Sequence, residues 1–147
     1  MVGSFRLRPP ERRTPVVNHA IERGVELLLS VDPATAAYPM GFGNTKPNGS
    51  WFKLGFPSGY VADVLQVLEA LCELGLGGDS RLQHALTWLL SKQDAQGRWK
   101  NQYAYAGKLW ADIEPQGQPS RWVTLRACRV LKLVHAQAGP LPLLQRQ

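Results

Sequence analysis

The chain has 147 residues, of which 44% are hydrophobic and 19% are charged, and it carries a formal net charge of +6. This length supports one domain with a real core, and the composition argues against global disorder. No segment approaches the roughly 20 apolar residues of a membrane helix, and no signal-like apolar stretch follows the basic N-terminus, so we expect a cytoplasmic protein.

The sequence predicts four helices, of which the first covers about residues 15–30. Thr14 is a suitable N-cap residue, Pro15 fits the first helical position, and apolar residues then recur at helical spacing. A long loop follows over residues 31–56, and its aromatic residues favour a packed loop over a disordered one. The second helix is predicted over residues 57–74, beginning with a Pro-Ser pair and ending where several glycines follow.

The third helix is predicted to start after a cap at Asp79 or Ser80 and to end before a turn at residues 94–97. A second loop rich in aromatic residues covers residues 95–118. The fourth helix is predicted over residues 119–136 and begins with another Pro-Ser pair. No segment is a convincing strand, so the predicted fold class is all-α.

An internal repeat relates the two halves of the chain. Residues 57–61 and 119–123 both begin with Pro-Ser and end with an aromatic residue and valine, and they lie 62 residues apart. The apolar registers of the helices that follow also agree. The sequence therefore predicts two copies of one helical hairpin, over about residues 15–75 and 78–138.

The repeat also predicts the domain organisation and a partner. A flexible basic arm (residues 1–14) precedes the hairpin-repeat domain (15–138), and a short tail (139–147) follows it. A hairpin with a single apolar stripe cannot bury that stripe alone, and repeat arrays generally need about three or more units. We therefore expect the open repeat edge to bind a second copy of the chain or another partner chain.

The end of the third predicted helix carries a motif. Gln93 is followed by Gly97-Arg98-Trp99, and Gly49-Ser50-Trp51 in the first repeat is a similar Gly-x-Trp without a counterpart to Gln93. These residues resemble the QW motif of the squalene cyclase and protein prenyltransferase superfamily. The resemblance covers about residues 17–136 and implies hairpins of an α/α toroid that ring an apolar, aromatic-lined cavity. Two hairpins would form only part of such a ring.

The catalytic signatures that the resemblance would imply are not visible. The sequence has no Asp-x-Asp-Asp acid, and Asp63, Cys72 and His84 have the residue types of a prenyltransferase zinc site without its spacing. No metal and no cofactor are therefore predicted. Asp112 and Glu114 are the candidate catalytic residues, because paired carboxylates can raise one pKa, although their position before Pro115 predicts a solvated loop.

Aromatic residues are the candidate ligand-binding residues. Their rings could line an apolar pocket or stabilise a carbocation, and the alternative is that they pack the loops onto the helices. The candidates are Trp51, Phe52, Trp99, Tyr103, Tyr105, Trp110 and Trp122.

Basic residues cluster on one face of the fourth predicted helix, namely Arg121, Arg126, Arg129 and Lys132. They predict either a solvated helix face or a surface for an acidic protein or an anionic membrane. No nucleic-acid-binding motif accompanies them, so no nucleic-acid partner is predicted.

Three functions follow from these observations. The first is a partial α/α-toroid module, non-catalytic on its own, that binds an apolar, isoprenoid-like ligand or a partner chain through its open repeat edge. The second is a terpene cyclase or prenyltransferase-like enzyme whose site is completed by oligomerisation. The third is a basic-faced scaffold for an acidic partner. We favour the first, because structural signatures of the superfamily are present while its catalytic signatures are not visible.

Overall fold

A computed structural model describes residues 8–36, 49–58, 62–105, 107, 110, 111 and 113–138. As the sequence predicts, these residues are mostly helical, and they form the four α-helices α1 (Pro15–Leu29), α2 (Val64–Glu73), α3 (Gln83–Ser91) and α4 (Arg121–Ala138). The predicted tail and the first seven residues of the predicted arm lie outside the described residues. None of the four helices is long and apolar enough to span a membrane.

Helix α1 begins where its capping residue predicts, and α3 begins one 3₁₀ turn after its predicted cap. The Thr14 hydroxyl accepts a hydrogen bond from the Val17 backbone N–H at 3.4 Å, and Pro15 occupies the first turn of α1. The Asp79 carboxylate accepts from the Arg81 backbone N–H at 2.9 Å and caps a 3₁₀ turn (Ser80–Leu82) that leads directly into α3. These cap predictions are confirmed.

Helix α2 begins later than predicted, because a different residue caps it. The Asp63 side chain accepts a hydrogen bond from the Gln66 backbone N–H at 2.8 Å and starts the helix at Val64. Ser58 lies upstream of the helix, and its carbonyl oxygen accepts a hydrogen bond from the Gln66 side chain at 3.0 Å. The predicted start at the first Pro-Ser pair is therefore wrong.

The second Pro-Ser pair does precede a helix directly. The Ser120 hydroxyl accepts a hydrogen bond from the Val123 backbone N–H at 3.0 Å, so Ser120 caps α4. The two Pro-Ser pairs thus have the same sequence and different structural roles. The sequence repeat therefore aligns the two Pro-Ser pairs but not the starts of the helices that follow them.

Helices α2 and α4 lie side by side and run in the same direction. Successive contacts join Glu69 to Arg126, Glu73 to Arg129, and the end of α2 to Gln137. The Gln137 amide donates to the Cys72 carbonyl at 2.8 Å and accepts from the Gly77 N–H at 2.6 Å. A side chain at Gly77 would displace the Gln137 amide, because its Cβ would lie 2.7 Å from the Gln137 oxygen.

The core surrounds α2, which is buried over most of its length. Its neighbours are α3 and α4, whose core-facing residues recur at helical spacing. The fully buried residues of these two helices include Ala85, Leu86, Leu89, Val123, Ala127, Val130 and Val134. Helix α1 contributes only Ile21 and Leu29 to the buried set, so it is the least buried of the four helices.

A short antiparallel strand pair, which the sequence does not predict, holds the second loop against α4. Strand β1 (Trp99–Lys100) pairs with β2 (Pro119–Ser120), and the Asn101 N–H donates to the Gln118 carbonyl at 2.8 Å. Two residues per strand give no period-2 pattern that sequence reading could detect. The strand pair places the turn that ends at Trp99 next to the N-terminus of α4.

Candidate functional site

An open groove of about 950 Å³ lies between α1 and α2, with one side of α4 at its edge. We call it the α1–α2 groove. Residues from three helices and from the segment before α2 line it, namely Ala20, Arg23, Gly24, Leu27, Leu28, Ser58, Ala62, Gln66, Val67, Glu69, Ala70, Arg126 and Arg129.

The α1 wall of the groove is apolar apart from Arg23. Gly24 lies four residues after Ala20, and Leu27 and Leu28 lie three and four residues after Gly24, which places them along one side of the helix. Leu27 is 52% exposed, so a large apolar side chain is available to a ligand. Facing it, Val67 and the small Ala62 and Ala70 leave room along α2.

The α4 edge of the groove contains a buried ion pair. The Arg126 guanidinium contacts Glu69 through Nε at 3.1 Å and through Nη2 at 2.7 Å, and both side chains are about nine-tenths buried. Arg126 Nη1 also donates to the Gly55 carbonyl at 3.3 Å. The prediction that Arg126 belongs to a solvated face is wrong, because α2 packs over that part of the helix.

A second, more exposed pair continues this edge. Arg129 Nη2 lies 3.1 Å from Glu73 Oε1, and the arginine side chain is 59% exposed. Two of the four basic residues of the predicted cationic face therefore have carboxylate partners on α2. This pairing reduces the charge that α4 offers to an acidic partner.

Asp63 is a buried carboxyl group at the start of α2, between groove residues Ala62 and Gln66. Burial raises its pKa from 3.8 to about 6, because the charged form loses its hydration. The nearby Arg126 charge and the Gln66 N–H act in the opposite direction, while the Glu69 carboxylate adds to the rise in pKa. Asp63 therefore combines a capping role with an unfavourable buried charge.

Glu114 is buried and engaged with α4, in contrast to the predicted solvated loop. Its carboxylate accepts hydrogen bonds from the Ser120 hydroxyl and from the Arg121 backbone N–H, the latter at 3.0 Å. A carboxylate at a helix N-terminus is stabilised by the unpaired N–H groups there. The structure thus gives Glu114 a capping position, and Asp112, its predicted partner, lies outside the described residues.

Three of the candidate ligand-binding aromatic residues pack against the core. The Trp99 indole is fully buried and donates to the Leu89 carbonyl at 2.7 Å, so no face of its ring is open to a ligand. Trp51 donates in the same way to the Pro33 carbonyl at 2.8 Å, and Phe52 beside it is partly buried. The Trp99 contact joins the second loop to the end of α3, and the Trp51 contact joins two parts of the first loop.

The other four candidates are spread over the second loop and α4. Tyr103 and Tyr105 form an edge-to-face pair with ring centroids 5.2 Å apart. Trp110 is fully exposed, and Trp122 stacks on Phe56 at 5.2 Å. None of the seven aromatic candidates lines the α1–α2 groove.

The zinc-type residues do not converge. His84 contacts the Asp32 carboxylate and Asp63 caps α2, while Cys72 is buried near the end of that helix. Among the described residues, no group of three or more His, Cys, Asp or Glu side chains could hold a metal ion.

Sequence reading missed the groove and the ion pair at its edge. Asp63 followed three residues later by Gln66 is a helix-start signal that would have placed the α2 cap correctly. The Glu69–Arg126 contact joins residues 57 positions apart, so no local pattern reveals it. It depends on how α2 and α4 pack.

Three kinds of known protein data were compared with the chain, namely family models, curated proteins and solved structures. No protein-family model, no curated protein and no solved structure matches the chain. The superfamily resemblance therefore rests on Gln93 and the two Gly-x-Trp segments.

Proposed function

We propose that this chain is a partial α/α-toroid module that binds an apolar, isoprenoid-like chain in the α1–α2 groove. The observation that carries the proposal is the groove itself, about 950 Å³ in volume, with Leu27 half exposed on its apolar wall. Small-molecule sites in proteins have volumes of roughly 300–1,000 Å³ and mainly apolar walls with a few polar groups. The isoprenoid-like character comes from the sequence resemblance.

The charges at the groove favour an uncharged ligand. Arg23, Arg126 and Arg129 line it, but Glu26, Glu69 and Glu73 already pair with them. An anionic head group would have to compete with these carboxylates, whereas a hydroxyl group could add a hydrogen bond without separating a pair. The polar side chains of Ser58 and Gln66 lie in the same groove.

A binding role without catalysis is supported by the contacts of two buried carboxyl groups, Glu114 and Asp63. Glu114 is occupied by contacts at the α4 N-terminus, and the Asp63 carboxylate accepts the first-turn N–H of α2. In both cases the carboxyl group has a structural partner within the fold. We therefore assign the groove residues a binding function only.

Displacement of a fluorescent probe tests the proposal. Farnesol should displace 1-anilinonaphthalene-8-sulfonate from the wild-type chain. The displacement curve should saturate and yield a dissociation constant for farnesol. Leu27→Ser should weaken farnesol binding about five-fold, because the exposed half of a leucine side chain contributes about 1 kcal/mol when a ligand buries it. Ala20→Phe should weaken binding at least ten-fold, because its ring fills the groove.

The matched control is Asn18→Phe, which adds the same ring to an exposed position of α1 that does not line the groove. Its farnesol affinity should equal that of the wild type, and circular dichroism should show unchanged helix content in all three variants. Equal affinities of the wild type, Leu27→Ser and Ala20→Phe would contradict the proposal.

A further inference from the structure

One side of α4 combines basic and apolar side chains that are exposed. Over residues 121–132 the exposed positions recur at steps of one and three, which places them along one side of the helix. We call this side the outer face, and it consists of Arg121, Trp122, Leu125, Cys128, Arg129 and Lys132. Trp122 is 43% exposed and Leu125 is 51% exposed, so apolar area lies between the charges. No residue of α4 is acidic.

The positive charges of the outer face remain in water, although two of them have carboxylate partners. Arg121 Nε lies 3.7 Å from Glu114, but 90% of the arginine side chain is exposed and only 8% of the glutamate. Arg129 pairs with Glu73 in the same way, with 59% of the arginine and 18% of the glutamate side chain exposed. A partner that approaches the outer face therefore meets two guanidinium groups and the exposed Lys132, while both carboxylates are largely covered.

Exposed apolar side chains continue beyond the N-terminal end of the outer face. The Glu114 carboxylate accepts from the Arg121 backbone N–H, so Ile113 lies close to the first turn of α4. Ile113 is half exposed, and Trp110 is fully exposed. Four of the six large apolar side chains that are exposed in the described part of the chain thus belong to residues 110–125. Such a grouping is typical of a surface that binds a protein or a membrane.

We infer that the outer face of α4 binds the surface of an anionic lipid bilayer. Its basic side chains contact the negatively charged head groups, while Trp122 and Leu125 enter the boundary between head groups and acyl chains. Tryptophan is enriched at this boundary, because its ring is apolar and its N–H group is polar. The formal net charge of +6 has the sign that an anionic surface attracts.

A bilayer fits the outer face better than an acidic protein does. Basic and apolar side chains alternate along one side of the helix, so both kinds reach a flat surface together. A bilayer offers negative charge and an apolar layer over its whole area, whereas an acidic protein must match each position. Within the outer face only Arg129 also lines the α1–α2 groove, so the inference does not depend on ligand binding there.

Vesicle flotation at about 0.1 M NaCl tests the inference. The wild type should float with phosphatidylcholine vesicles that contain phosphatidylserine and should not bind vesicles of phosphatidylcholine alone. Arg121→Gln with Lys132→Gln should weaken binding roughly ten-fold or more, because each basic residue at such a surface contributes about five-fold. Leu125→Ser should weaken binding about five-fold, because the exposed half of the leucine no longer enters the bilayer.

The matched control is Arg12→Gln with Lys92→Gln, which removes the same charge from exposed positions outside the outer face and should bind like the wild type. If the Arg121 and Lys132 double variant loses helix content by circular dichroism, Lys132→Gln alone replaces it, with an expected loss of about five-fold.

Three results would overturn the inference. The first is a wild type that binds both kinds of vesicle equally or neither kind. The second is an equal loss of binding in the double variant and in the control, or no loss in Leu125→Ser. The third is binding to poly-L-glutamate without binding to anionic vesicles, which would assign the outer face to an acidic protein.

Discussion

Asp63 is the residue at which capping and burial oppose each other most clearly. Its carboxylate gives the Gln66 N–H a partner at the start of α2, yet the side chain is only 2% exposed. A charged acceptor strengthens a cap, whereas burial penalises the charge. The raised pKa, about 6, shows that the burial penalty is the larger effect.

Replacing Asp63 by Asn should stabilise the chain in a pH-dependent way. The folded-state pKa of about 6 exceeds the ordinary 3.8, so the stabilisation from protonating Asp63 is complete below about pH 4 and is lost as the pH rises through 6. Asn keeps the capping acceptor and removes the charge. Asp63→Asn should therefore raise the free energy of unfolding by about 2–3 kcal/mol at pH 7.5 and by close to zero at pH 4.

Urea denaturation of the wild type and of Asp63→Asn at both pH values measures this difference. Glu11→Gln, at an exposed position before α1, is the control, and its effect on the free energy of unfolding should be small at both pH values. A variant that is less stable than the wild type at pH 7.5 would mean that the ionised cap contributes more than its burial costs.

Single residues differ in how far the sequence reveals their roles. Thr14 could be identified as a cap, because the interaction is local and Pro15 marks the helix start. Trp99 was predicted as a ligand-binding residue, but its indole points to the end of α3 and is buried. Glu114 was predicted in a solvated loop, since only the folded chain brings it to the N-terminus of α4.

At the scale of elements, the contact between α2 and α4 organises the fold. The two helices are joined by apolar residues and by the Glu69–Arg126 ion pair, which is nearly inaccessible to water. A buried ion pair adds little net stability compared with apolar residues of similar size, but breaking it by removing one partner is costly. The pair also bounds one edge of the α1–α2 groove.

Arg126→Met should lower the free energy of unfolding by about 3–5 kcal/mol, because Glu69 would remain buried without its partner. The double variant with Glu69→Leu should recover most of this loss. Arg129→Met removes the partner of Glu73 at an exposed position and should cost less than about 1 kcal/mol. Urea denaturation of the wild type, Arg126→Met, Glu69→Leu, their double variant and Arg129→Met measures the coupling between Arg126 and Glu69. Equal losses for Arg126→Met and Arg129→Met would contradict the assignment of a buried pair.

Helix positions were largely predictable, while helix contacts were not. Apolar spacing and turn residues located all four helices, and the largest error, the start of α2, came from reading Pro-Ser as a cap in place of Asp63. The pairing of α2 with α4 and the short strand pair depend on contacts between distant residues. Periodicity identifies which side of a helix is apolar, but it does not identify the neighbouring helix.

For the whole molecule, the open side of α1 connects the fold with the proposed function. Helices α2, α3 and α4 share a core, whereas α1 buries only Ile21 and Leu29 and leaves a groove beside α2. The sequence predicted an apolar ligand but placed its site among the aromatic residues, none of which lines this groove. The groove arises from small residues on facing helices, and their spacing resembles that of any amphipathic helix.

The most direct test locates a bound ligand by methyl NMR spectroscopy during a farnesol titration. Binding in the α1–α2 groove predicts saturable shifts of the methyl signals of Leu27, Val67 and Ala70, which line the groove, and unchanged signals of Leu125 on the exposed face of α4. The shifts should disappear in Ala20→Phe. Shifts confined to the aromatic loops, or none in the groove at saturating farnesol, would contradict binding in the α1–α2 groove.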